Sequence, residues 1–173
     1  MKTTGIVRRI DELGRVVIPK EIRKTMHIKE GEEMEVFVTD DSLVLKKYSP
    51  VKNILQLAEE YAEILYDNTG YTCVICDADE IIASKRESEY VGKRITKNLE
   101  NCLRLRKSAY FRKSDGISVT PGDGYADIAI APIIVDGEVV GGMVLIASGA
   151  MSRADNCVKL LEVGASFFAK QIE

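Results

Sequence analysis

The chain has 173 residues, 46 % of them hydrophobic and 29 % charged, with a formal net charge of −3. Those proportions belong to a soluble globular protein and leave room for two small domains. No apolar run nears the roughly 18 residues that cross a bilayer, and the N-terminus lacks the apolar stretch of a signal peptide, so a cytoplasmic protein without membrane contact is expected.

The charge is unevenly spread. From Met1 to Lys29 eight basic side chains (Lys2, Arg8, Arg9, Arg15, Lys20, Arg23, Lys24, Lys29) stand against three acidic ones (Asp11, Glu12, Glu21), a local net charge of +5 that leaves −8 for the remainder. An acidic protein with one concentrated basic end presents a single cationic face, the footprint expected where the phosphates of duplex DNA are bound. Lys2 and Lys20 read as general surface charge.

In chain order, Gly5 to Ile10 reads as a strand, Asp11 to Gly14 as a turn, and Arg15 to Ile18 as a second strand with Val16 and Ile18 on one face. Pro19 then opens a short helix to His27, since proline suits the first helical position. His27 complements the helix C-terminus. After the Glu30-Gly31 turn, Met34 to Thr39 and Leu43 to Leu45 form a hairpin around Asp40-Asp41. Tyr48 to Lys52 reads as a linker, which gives two domains, 1–52 and 53–173.

A unit of about 50 residues buries too little apolar surface to stand alone and usually needs disulfides, a metal or a partner. His27 is the only histidine and the four cysteines all follow residue 70, so no metal site can form within the first unit. A homodimer whose strands interdigitate around a shared core remains.

The second unit alternates longer helices and strands. Asn53 and Gln56 suggest a helix start, Ile54, Leu57, Ala58, Tyr61 and Leu65 its apolar stripe, and Gly70 its end. Strands are expected at Tyr71–Cys76 and Glu80–Ala83, a helix from Thr96 through Leu99 to Leu103, and a strand at Ala109–Arg112. Ala126–Val135 and Glu138–Ala147 flank Asp136-Gly137, a pair suited to a type I′ turn. Ser152 and Asp155 resemble a capping box for the last helix, whose two stripes (Val158, Leu161, Ala165, Phe168, Ile172 and Cys157, Leu160, Gly164, Phe167) make an apolar arc wide enough to reach a symmetry mate.

At GIVRRIDELGRVVIPKEIRKTM the chain resembles the AbrB family of bacterial transition-state regulators. The residues that carry the likeness are an arginine-bearing strand, a D-x-L-G-R-V-V-I-P-K turn and strand, and E-I-R opening a short helix. The Lys46-to-Pro50 junction and the 121 residues that follow resemble sporulation regulators of that family. The resemblance implies an α+β chain: an N-terminal swapped-hairpin β-barrel made by a dimer, then a GAF-like antiparallel sheet flanked by helices, assembled as a homotetramer. It places DNA contacts at Arg8, Arg15, Arg23 and Lys24, with Arg9 beside them. Family members often carry arginine where Lys24 stands, so a phosphate contact is the expectation there, lysine lacking the bidentate fork. The function implied is a regulator that activates and represses sporulation-stage genes, not an enzyme, with no cofactor or metal.

Other motifs weigh less. Cys73 and Cys76 have redox spacing, but three apart on a strand they point to opposite faces, and the four cysteines read as reduced, buried thiols. Gly122-Asp123-Gly124 lacks the lysine and spacing of a phosphate loop and reads as a flexible loop. A small-molecule ligand in the GAF-like domain would lie between Tyr90–Leu105 and the Ser114–Tyr125 loop. Arg104, Arg106, Lys107, Arg112 and Lys113 are either an anion site or solvated surface. Two rival functions are an antitoxin, which a folded 53–173 argues against, and a free methionine sulfoxide reductase of the GAF class, which would use the cysteines.

Overall fold

The computed structural model describes residues 5–172, so Lys2 lies outside the described residues. The chain divides into two units between Tyr48 and Ser49.

The first unit turns at Asp11–Gly14, where the Gly14 N–H donates to the Asp11 carbonyl at 3.0 Å. Helix α1 (Lys20–Thr25) follows Pro19. Strands β1 (Met34–Thr39) and β2 (Ser42–Lys47) pair antiparallel from Met34↔Lys47 to Thr39↔Ser42. The Lys47 ammonium donates to the His27 carbonyl at 2.9 Å and so ties the end of β2 to the end of α1. His27 itself sits at φ 54°, the left-handed position that stops the helix.

One expectation fails here in an instructive way. Residues 5–10 and 15–18 belong to no sheet in the single chain. A strand is defined by the backbone groups it pairs with, and alternating sequence supplies only half of a pair. The turn between the two segments is closed by the Asp11 N–H, which donates to the Arg15 carbonyl at 3.0 Å.

The second unit is built on a five-stranded antiparallel sheet, order β4-β3-β7-β6-β5. Its strands are β3 (Thr72–Asp77), β4 (Ile81–Lys85), β5 (Ala109–Phe111), β6 (Asp127–Val135) and β7 (Glu138–Ala147). The β6–β7 hairpin turns at Asp136 (φ 49°) and Gly137 (φ 78°), both positive as a type I′ turn requires. Helices α2 (Leu55–Thr69) and α4 (Ala154–Ile172) cover one sheet face, sharing a core with Cys73, Ile75, Ala131, Met143, Leu145 and Phe168. Helix α3 (Lys97–Arg104) covers the other face, where Leu99, Leu103, Ile117 and Val119 meet Val74, Cys76, Ile128, Ile130 and Val144. Thr96 caps α3, its hydroxyl accepting the Leu99 N–H at 3.1 Å.

Three local readings are corrected. The stretch read as a linker is packed structure: Pro50–Ile54 is a 3-10 helix, Val51 is fully buried, and Lys52 pairs with Glu80 at 2.6 Å. A Cβ on Gly141 would collide with the Cys76 carbonyl and crowd Val51, so glycine lets that helix seat on the sheet. Asn53 therefore lies inside the 3-10 helix, and α2 has no side-chain cap. Ser152 does not open α4 by capping; its N–H donates to the Tyr71 hydroxyl at 2.9 Å.

Candidate nucleic-acid interface

The five candidate side chains all lie in the first unit and all are exposed. Arg8 and Arg9 precede the turn, Arg15 leaves it, and Arg23 and Lys24 occupy the last turn of α1, where cations complement the helix C-terminus. Arg9, Arg23 and Lys24 have no recorded side-chain partner among the described residues, while the Arg8 guanidinium donates to the Val7 carbonyl at 3.2 Å.

Arg15 is held differently. Its Nε meets Asp11 Oδ2 at 2.8 Å, while Asp11 Oδ1 accepts the backbone N–H groups of Arg15 at 2.8 Å and Leu13 at 3.0 Å. The Arg15 backbone bond, and after it the Arg15 side-chain bond, hold the Asp11 carboxyl below its ordinary range. Asp11 thus orders the turn and aims the arginine. Sequence reasoning missed it as a functional residue, although an acid four positions before an arginine across a glycine turn was the available signal.

Beside these cations the unit is apolar and open. A groove of about 250 Å³ is lined by Ile6, Val16, Ile18, Ile22, Met34 and Leu45, with Arg8 at its wall. Among the described residues of this unit only Pro19 is buried, and Val7 and Val38 are 85 % and 80 % exposed.

In the second unit the buried thiols are inert. Cys73 and Cys76 fall in the cores on opposite sheet faces, and burial pushes both up to about 12. Burial also raises Cys102 and Cys157. Among the described residues no group of three or more His, Cys, Asp or Glu is placed to hold a metal. Among the described residues no helix is long and apolar enough to cross a membrane. In the Gly122-Asp123-Gly124 loop the Asp123 carboxylate turns inward to accept the Thr120 N–H at 3.1 Å. Asp127 joins three distant segments, accepting from the Tyr110 hydroxyl at 2.6 Å, the Lys113 N–H at 2.8 Å and the Met151 N–H at 3.0 Å.

Comparison with known proteins agrees with this two-unit layout. Residues 53–173 match the family described as stage V sporulation protein T C-terminal, transcription factor, and residues 7–53 match the family of the antidote-toxin recognition protein MazE, a bacterial antitoxin. The chain is 40 % identical over 179 residues to stage V sporulation protein T (SpoVT) of Bacillus subtilis strain 168, covering 100 % of this chain and 99 % of that one. It is 38 % identical over 101 residues to the transition state regulatory protein AbrB of the same organism, covering 58 % of this chain and 96 % of that one. The GAF domain of an Acinetobacter phosphoenolpyruvate-protein phosphotransferase superposes with a TM-score of 0.60 at 14 % identity, covering 73 % of this chain and 84 % of that one, which shows a shared fold. The AbrB likeness read from the amino-terminal motif and the GAF-like reading of the second unit are both borne out. With a full-length relative and a family match over most of its residues, the chain belongs to the stage V sporulation protein T family of transcription factors.

Proposed function

We propose that the chain binds duplex DNA through a homodimer of its first unit, residues 1–52, and regulates sporulation-stage genes in the cytoplasm as activator and repressor. The observation that carries this reading is the contrast inside the first unit: exposed cations stand beside an apolar groove, and among the described residues of the unit only Pro19 is buried. A second copy inserting residues 5–10 and 15–18 into that groove would give these segments strand partners, bury the apolar side chains and complete a swapped-hairpin barrel. It would also double the set of Arg8, Arg9, Arg15, Arg23 and Lys24. Most of these contacts are read as phosphate contacts, with base readout by the arginines.

In the second unit, Leu160, Val163 and Phe167 of α4 and Ile64 of α2 remain exposed, and Phe167 stacks on Tyr61 with centroids 6.2 Å apart. Such a stripe supports assembly of dimers into a tetramer. A small molecule is the alternative for this unit, favoured by the Thr120 hydroxyl, which is buried without a partner among the described residues. Buried, high-pKa thiols support a non-enzymatic role over a cysteine reductase.

The test combines mass and binding. Dimers of residues 1–52 and tetramers of the full chain are expected, with Arg8→Ala and Arg23→Ala each weakening DNA binding and flattening its salt dependence while the assembly keeps its mass. A folded monomeric short piece, or unchanged affinity in both variants, overturns the reading.

A further inference from the structure

The second unit carries its charge unevenly along the chain. Between Arg86 and Lys113 nine basic residues stand against three acidic ones, a net charge of +6, and the rest of the unit has five basic against fifteen acidic, −10. All nine cations are exposed. This stretch contains α3, which covers the sheet face of Val74, Ile128 and Val144, while Arg86 at its start reaches the Gly70 carbonyl at the end of α2 at 3.4 Å. The opposite face is covered by α4 and by α2, and α2 carries four acids and no base.

An ordinary solvated surface intersperses its signs, because like charges held together repel. Here the local acids do not balance the cations. Glu100 is shared by Lys97 and Arg104, each at 2.9 Å, and Arg106 reaches Glu138 at 3.7 Å. Lys93 lies 5.4 Å from the centre of the Tyr90 ring. Arg94, Lys107 and Lys113 have no recorded side-chain partner among the described residues. A concentration of exposed, uncompensated cations raises the local concentration of polyanions and steers them to the surface.

We infer that the α3 face of the second unit is a second contact surface for DNA phosphates. The inference rests on the DNA-binding reading above, since DNA is then the polyanion the protein already meets. Contacts of this kind carry no base information; they add affinity and salt dependence equally for every sequence.

The experiment measures DNA affinity of the full chain against salt for the triple variant Arg94→Ala/Lys107→Ala/Lys113→Ala. Each cation that reaches a phosphate contributes about one to the slope of log affinity on log salt, so the slope should shrink by up to about 3 per bound subunit. Affinity should fall several-fold on specific and unrelated duplexes alike. Lys159→Ala, on α4, should change neither quantity. If the alanine variant melts early, the triple glutamine variant replaces it.

A triple variant that keeps the parent slope while Arg8→Ala and Arg23→Ala lose theirs overturns this inference alone. A weakened triple variant beside unaffected Arg8→Ala and Arg23→Ala supports the second surface and overturns the reading of the first unit. If the triple variant keeps its slope but loses tetramer mass or binding to anionic vesicles, the layer serves another partner and the inference is overturned.

Discussion

The two units solve opposite halves of the folding problem. The second has a sheet with apolar residues on both faces and a helical cover for each, so its cores close within one chain. The first has a comparable density of valine, isoleucine and leucine but only Pro19 buried among its described residues. Apolar content alone does not make a core; there must be enough chain to wrap it. Where the chain is too short, the same residues are left for a partner to cover, which is the basis of the dimer proposed above.

The strongest way to break that contrast is a charge placed in the groove of the first unit. Val16 is 51 % exposed in the single chain, so a monomeric unit would tolerate Val16→Asp within about 0.5 kcal/mol. If a second copy covers it, the buried carboxylate costs more than about 3 kcal/mol, and sedimentation should show the dimer lost together with DNA binding. Next in size is Phe168→Ala in α4. Phe168 is fully buried against the sheet, so thermal or denaturant unfolding should show a loss of about 3–5 kcal/mol confined to the second unit. Equal destabilisation of the first unit's dimer would show that the two fold as one body.

The smallest effect sharpens the electrostatic side. Asp11 has a folded-state pKa below its unfolded value, so its contribution is present above the ordinary carboxylate range and is lost as the pH falls through the folded-state value. Acid should therefore loosen the turn and release Arg15, whereas Asp11→Asn should remove this pH dependence. NMR titration of the Asp11 carboxyl checks the first, and the pH dependence of the Arg15 amide resonance in the parent and in Asp11→Asn checks the second.

Legibility in the sequence followed the range of the interactions. The β6–β7 hairpin was readable because Asp136-Gly137 sets its own turn, and α3 because Thr96 caps three residues ahead. The candidate cations were readable as residue types, and their exposure is now visible. The strands at 5–10 and 15–18 were readable as pattern but not as paired structure, because their partners are not local. Ser152 and Asn53 misled for the same reason: Tyr71 claims the first from 81 residues away, and the seating of Val51 beside Gly141 decides the second. Asp127 could not be found from spacing, since its three donors come from separate segments.

The bond between Asp11 and Arg15 has one more consequence. Because Arg15 already faces a carboxylate, taking up a phosphate exchanges one oxyanion for another, and the net gain in attraction is small. What the exchange retains is aim, since the guanidinium arrives with its rotamers already narrowed. On the proposed DNA-binding reading, tightness on the duplex would then fall to Arg9, Arg23 and Lys24, which give up only water, with Arg15 as the sight rather than the grip.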